Sequence, residues 1–164
     1  MDKYKIDKTR NKYFSVKLFL WILRTAGGGQ FIKRFFAKLL YRYYLIVYGL
    51  EISYEAKIGK GLYIGHPYCI TVNPKAVLGE FCSLHRGVLI GEENRGKRKG
   101  VPTIGNRVWM GINSVIIGSI TIGDDVLIAP NSFVNCDVPS HSIVFGNPCV
   151  IKHRDNATEG YINL

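Results

Sequence analysis

Four histidines are the side chains best placed to move a proton near neutral pH: His66, His85, His141 and His153. His66 stands between Gly65 and Pro67, and His85 lies in the run Leu84-His-Arg-Gly-Val88. A neutral imidazole in either place suits the activation of a hydroxyl, although a turn or packing role fits the same positions. His141, in Pro139-Ser-His-Ser, and His153, in a basic tail, read as polar loop and solvated end. Other chemistries find little footing. Cys69, Cys82, Cys136 and Cys149 form no CxxC pair, and their spacings of 13, 54 and 13 fit no zinc motif, so they read as reduced, buried small side chains of a cytoplasmic protein. Neither GxGxxG nor GxxxxGK[ST] occurs, so nucleotide hydrolysis and redox cofactors have no support, and no metal is expected.

The elements that must hold these histidines announce themselves through a repeat. Every sixth residue from Ile104 is aliphatic: Ile104, Met110, Ile116, Ile122, Ile128 and Val134. The residues four further on, Val108, Ser114, Ile120, Val126, Ser132 and Val138, are small or β-branched. The same period runs through Ile52, Ile58 and Ile64, slips by two residues within 65–71, and resumes at Val72, Leu78, Leu84 and Ile90. A period of six is neither helical nor a plain alternating strand. It fits a coil of short strands whose aliphatic residues point inward and whose corners need small residues. Stacked coils then pair in parallel, three units to a coil, giving about four coils. His66 falls in the slip, where backbone leaves the smooth coil and a side chain can leave the regular face. The polar insertion Gly91-Glu-Glu-Asn-Arg-Gly-Lys-Arg-Lys-Gly100 reads equally as a solvated loop or a mobile lid.

The pattern aliphatic-Gly-x-x-small-x resembles the hexapeptide-repeat acyltransferases, a family of left-handed parallel β-helices. Within that family, Glu51–His66, Val88–Gly91 and Gly146-Asn-Pro-Cys-Val-Ile-Lys152 resemble the serine acetyltransferase branch. Short polysaccharide-biosynthesis members, such as colanic acid acetyltransferase, are similar in length. The resemblance implies a fold that is mainly β, with acetyl-CoA as donor and His66 as the base that deprotonates the acceptor hydroxyl. It implies a carboxylate fifteen residues before that histidine; Glu51 stands there in place of the family's Asp. It places acetyl-CoA along the solenoid edge between subunits of a homotrimer, near Gly111, Ala129, Pro130, Gly146 and Pro148, with Lys152 toward a phosphate. Two departures bear on the acceptor. Gly65 stands where the branch has Asp, and Gly100-Val101 where it has an Arg-His pair that binds the serine carboxylate and ammonium. An amino acid's charges would lack those partners. The expected acceptor is therefore a saccharide hydroxyl of a cell-envelope polysaccharide, contacted by His85 and Arg98, with L-serine as the alternative. A carbonic-anhydrase-like or other non-catalytic β-helix is the reading from a different class. It requires three metal-binding histidines, which the repeat does not supply.

The N-terminal third has another character. Residues 1–50 hold 11 Lys/Arg against 2 Asp/Glu, whereas the rest holds 11 against 10. The basic charge thus belongs to an arm and not to the body, which argues against nucleic acid and leaves room for an anionic surface. Residues 12–24 and 30–48 read as helices separated by Gly27-Gly28-Gly29, with Arg34, Lys38 and Arg42 forming one basic stripe beside many apolar residues. Such an arm either caps the solenoid or a neighbouring subunit, or lies on a membrane. The organisation expected is residues 1–50 as the helical arm, 51–152 as the solenoid and 153–164 as a tail. Among 164 residues, 47% hydrophobic and 21% charged, wholesale disorder is excluded. No uncharged stretch in the arm approaches the ~20 residues of a spanning helix, and no secretory signal pattern opens the chain.

Overall fold

The computed structural model describes residues 2–28 and 30–162. Three helices come first: α1 (Lys3–Arg10), α2 (Phe14–Ala26) and α3 (Phe31–Tyr48). Both expected helices are present with shifted ends, α1 is additional, and Gly29 of the expected break lies outside the described residues.

Five coils follow. The first holds β1 (Leu50–Ile52), β2 (Lys57–Ile58) and β3 (Tyr63–Gly65), and the second β4 (Ile70–Val72), β5 (Val77–Leu78) and β6 (Ser83–His85). The third holds β7 (Leu89–Gly91), β8 (Thr103–Ile104) and β9 (Val108–Met110), and the fourth β10 (Val115–Ile117), β11 (Thr121–Ile122) and β12 (Val126–Ile128). The fifth holds β13 (Phe133–Val134), a bridge at Val138 and β14 (Ser142–Phe145). Strands stack in parallel into three faces, β1-β4-β7-β10-β13, β2-β5-β8-β11 and β3-β6-β9-β12-β14. β15 (Val150–His153) then folds back antiparallel on β14. The expectation of four coils is one short, because the fifth coil is completed beyond Val134, where the six-residue frame breaks before β14.

The inward ladders are those the repeat predicts. Ile64, Leu84, Met110, Ile128 and Val144 are buried one above another, as are Ile58, Leu78, Ile104 and Ile122. Each such side chain contributes on the order of 1.5–3 kcal/mol relative to exposure. Corners are turned by left-handed residues, among them Asn113 and Asn131 at φ 57° and 58°, a conformation asparagine tolerates better than most residues.

The bottom coil leaves a row of strand groups with no coil beneath, and α1 and α2 satisfy them through side chains. Asn11 donates to Leu62 O (2.9 Å) and accepts from Ile64 N (3.0 Å), while Asp7 accepts from Leu62 N (2.9 Å). Arg24 pairs with buried Asp7 at 2.8 Å and donates to Ile58 O and Gly59 O. This capping is what an open solenoid end requires. α3 packs on α2, with Ala37 and Tyr44 on the buried side.

The cysteines only partly match expectation. Cys82 is buried, and burial pushes its thiol up to about 11. Cys69 is exposed at a corner, while Cys136 and Cys149 face each other half-buried at 3.5 Å.

Candidate active site

His66 and His85 come together because the two-residue slip lengthens the coil. β3 and β6 pair so that Gly65 stands opposite His85, twenty residues on. His66 follows Gly65 at the corner, with φ 58° and its side chain exposed, and its carbonyl accepts from Tyr68 N at 2.8 Å. His85 points outward from β6, and its ring centre lies 6.4 Å from that of His66. Tyr63 and Trp109, at 6.0 and 4.7 Å, flank the His85 ring. Its Nε2 is buried without a hydrogen-bond partner among the described residues. Burial, then the charge His66 would carry, lowers the pKa of His85, so it is held neutral. Beside it opens a cavity of about 430 Å³ whose lining includes Arg10, Lys12, Tyr63, His85, Trp109 and Tyr161.

Gly65 makes this arrangement geometrically feasible. A Cβ there would lie 2.6 Å from His85 Cε1 and 2.7 Å from Nδ1. An acidic side chain at 65 and the present His85 conformation are mutually exclusive.

The remaining candidates are distributed as follows. Continuing the register, His85 is succeeded along the same edge by Gly111, Ala129 and Phe145. Gly111 lies directly under Ala129-Pro130, since a Cβ on it would meet Pro130 N at 2.6 Å. Gly111 and Ala129 thus put nothing larger than a methyl group on the edge above the histidines, with Gly111 itself buried beneath Pro130 and Ala129 half-buried. Gly146, at φ 92°, and Pro148 form the turn between β14 and β15, and Lys152 on β15 is exposed with its Nζ 5.6 Å from the Phe145 ring centre.

Glu51 does not hydrogen-bond to His66. It sits on β1 opposite Thr71, whose Oγ1 donates to it at 3.5 Å. Its charge reaches Tyr41, a phenol pushed up to about 12 by burial first and by Glu51 second. Arg98 is also apart from His66 within the chain. Its loop leaves between β7 and β8, a different corner from the one His66 occupies between β3 and β4. The loop is tied down: Glu93 and Gly100 exchange two backbone hydrogen bonds of 2.9 Å, and Arg98 donates to Asn135 O while its own carbonyl accepts from Ser119 N. Tyr63, Trp109 and Tyr161 were not singled out from the sequence. The signal lies in the slip, which sets Tyr63 against Ser83, and in the 91–103 insertion, which brings Trp109 onto the same outer face.

Comparison with known proteins gives the following resemblances. A family described as "Bacterial transferase hexapeptide (six repeats)" matches residues 102–136. A serine acetyltransferase of Helicobacter pylori is 35% identical over 121 residues, which are 74% of this chain and 71% of that protein. Serine acetyltransferase 4 of Arabidopsis thaliana is 37% identical over 102 residues, 62% of this chain and 29% of its own. Among solved structures, the Neisseria gonorrhoeae serine acetyltransferase in complex with serine superposes with a TM-score of 0.67 at 30% identity, over 84% of this chain and 55% of that one. The soybean serine acetyltransferase apoenzyme gives 0.71 at 28%, over 85% and 58%. The chain therefore spans little more than half the length of these solved chains.

Proposed function

Because this chain belongs to the serine acetyltransferase family of hexapeptide-repeat transferases, we propose that it is an acetyl-CoA-dependent O-acetyltransferase, with L-serine as the acceptor that its relatives support. The observation that carries the reading is His66, projecting from a corner beside a neutral His85 at the foot of the Gly111–Ala129 edge. Acetyl-CoA brings a thioester as co-substrate, and its narrow arm is assigned to the edge where Gly111 and Ala129 carry no bulky side chain. Lys152 is assigned to a phosphate of the donor. His66 takes the proton of the acceptor hydroxyl as that oxygen attacks the carbonyl carbon. The carbon–sulfur bond breaks and the proton passes to the departing thiolate, so no covalent enzyme species is needed.

The assembly proposed is a homotrimer with sites between subunits. Arg98 and His66 occupy different corners of one solenoid, so a single acceptor touching both draws them from neighbouring copies. Glu51 is assigned to orient and charge-balance His66 once the site is assembled.

A second acceptor, an uncharged saccharide hydroxyl, is favoured by one specific observation. The His85 ring fills the space that an acidic side chain at position 65 would occupy. The loop offers Gly100-Val101 where charged partners for an amino acid would stand, and Gly100 packs against Ser119. Thiol release from acetyl-CoA, measured with L-serine and with a panel of hydroxylated sugars, decides between them. A kcat/KM for L-serine of ~10⁴ M⁻¹s⁻¹ or more, the low end for ordinary enzymes, establishes the first acceptor. A sugar outpacing L-serine establishes the second. No thiol release with any acceptor overturns the proposal.

A further inference from the structure

The side of α3 turned away from α2 is bare and apolar. Phe31, Ile32, Phe35, Phe36, Leu39 and Ile46 each leave more than half of their surface exposed. At 100° per residue, Phe35, Leu39 and Ile46 fall opposite the buried Ala37 and Tyr44. At the same spacing Arg34 and Lys38 border this face on one side and Lys33 on the other, Arg42 falls within it beside Phe35, and the Lys38 Nζ lies 5.0 Å from the Tyr54 ring centre. The helix carries no acidic residue. In the whole arm the only acids are Asp2, which caps α1, and Asp7, which is buried against Arg24.

We propose that α3 lies in the plane of an anionic lipid surface, with its apolar face in the acyl boundary and Arg34 and Arg42 reaching the headgroups. Charge argues against the same face of a second copy as the occupant. Two such faces brought together would set cation against cation with no acid on either side to separate them. An anionic surface neutralises the same residues. With 18 residues, α3 is about 27 Å long, yet no helix among the described residues is long and apolar enough to cross a membrane. An amphipathic helix with a basic border is the form that lies in the interface instead. The inference is independent of the acceptor and of acetyl transfer.

The test is flotation of the full chain with vesicles of 70% phosphatidylcholine and 30% phosphatidylglycerol, and with pure phosphatidylcholine, alongside sedimentation without lipid. Co-flotation with the anionic vesicles, weakened by salt and far lower on the neutral ones, is expected. Arg34→Gln/Arg42→Gln lowers the partition coefficient roughly thirty-fold, at about five-fold per cation. Ile32→Ser/Ile46→Ser lowers it as well, with helicity by circular dichroism and mass by sedimentation unchanged. Equal flotation on both vesicle types, or none on either, overturns the proposal. A smaller sedimenting species from Ile32→Ser/Ile46→Ser, with no flotation of the parent chain, assigns the face to a second copy.

Discussion

Gly65 and His85 face each other across adjacent coils so closely that a Cβ on Gly65 would fall 2.6 Å from the imidazole Cε1. The contact makes position 65 sensitive to any side chain. Gly65→Ala is expected to destabilise the fold by about 1–3 kcal/mol, the usual cost of overpacking. His85→Ala in the same chain should restore most of that loss, because it removes the atoms struck. Urea denaturation of the two single variants and the double variant measures the coupling. Additive losses would show that the ring moves aside freely.

His85 also predicts a pH dependence. Burial first, and His66 second, lower its proton affinity from the ordinary value of 6.5. The unfolded chain then binds a proton that the folded chain refuses, so this contribution to stability is present above about 6.5 and declines as pH falls below it. Melting temperatures between pH 7.5 and 5.5 should fall more steeply for the parent chain than for His85→Asn. Equal slopes would show that His85 titrates alike in both states.

The solenoid's lower end yields a prediction of a different kind. Asn11 satisfies Leu62 O and Ile64 N from more than fifty residues away in sequence. Asn11→Ala leaves both without their partner, at about 1–3 kcal/mol for each buried group. The loss should appear as a lower urea midpoint with an unchanged slope, and a shift equivalent to less than about 0.5 kcal/mol would mean that the edge does not depend on this cap.

These three positions differ in how far the sequence reveals them. The ladder from Ile104 to Val134 is plain, because one residue in six must point inward whatever surrounds it. The meeting of His66 and His85 follows from the slip, provided the slip is taken to lengthen the coil to twenty residues. α1 carries no such mark. Lys-Tyr-Lys-Ile-Asp-Lys-Thr-Arg has no apolar face, and what holds it is Asp7 and Asn11 bonded to a strand edge far along the chain. The relation of Glu51 to His66 is also beyond one chain's sequence, since fifteen residues fix a spacing in a pattern and not a hydrogen bond.

Glu51 is accordingly expected to matter less than the base it orients. Glu51→Gln should lower kcat by less than the ~10²-fold that marks the loss of a general base, with the Kd for acetyl-CoA unchanged. A larger loss than that of His66→Ala would make the carboxylate the base and His66 its support.

The most direct measurement is steady-state thiol release by the parent chain, His66→Ala and His85→Ala, with acetyl-CoA binding followed separately. His66→Ala should lower kcat by about 10²–10⁴-fold while the Kd for acetyl-CoA stays within about two-fold of the parent's, because the donor is assigned to backbone further up the Gly111–Ala129 edge. His85→Ala should retain the greater part of kcat. Abolished turnover in His85→Ala, with most of it kept in His66→Ala, would contradict the assignment of the base.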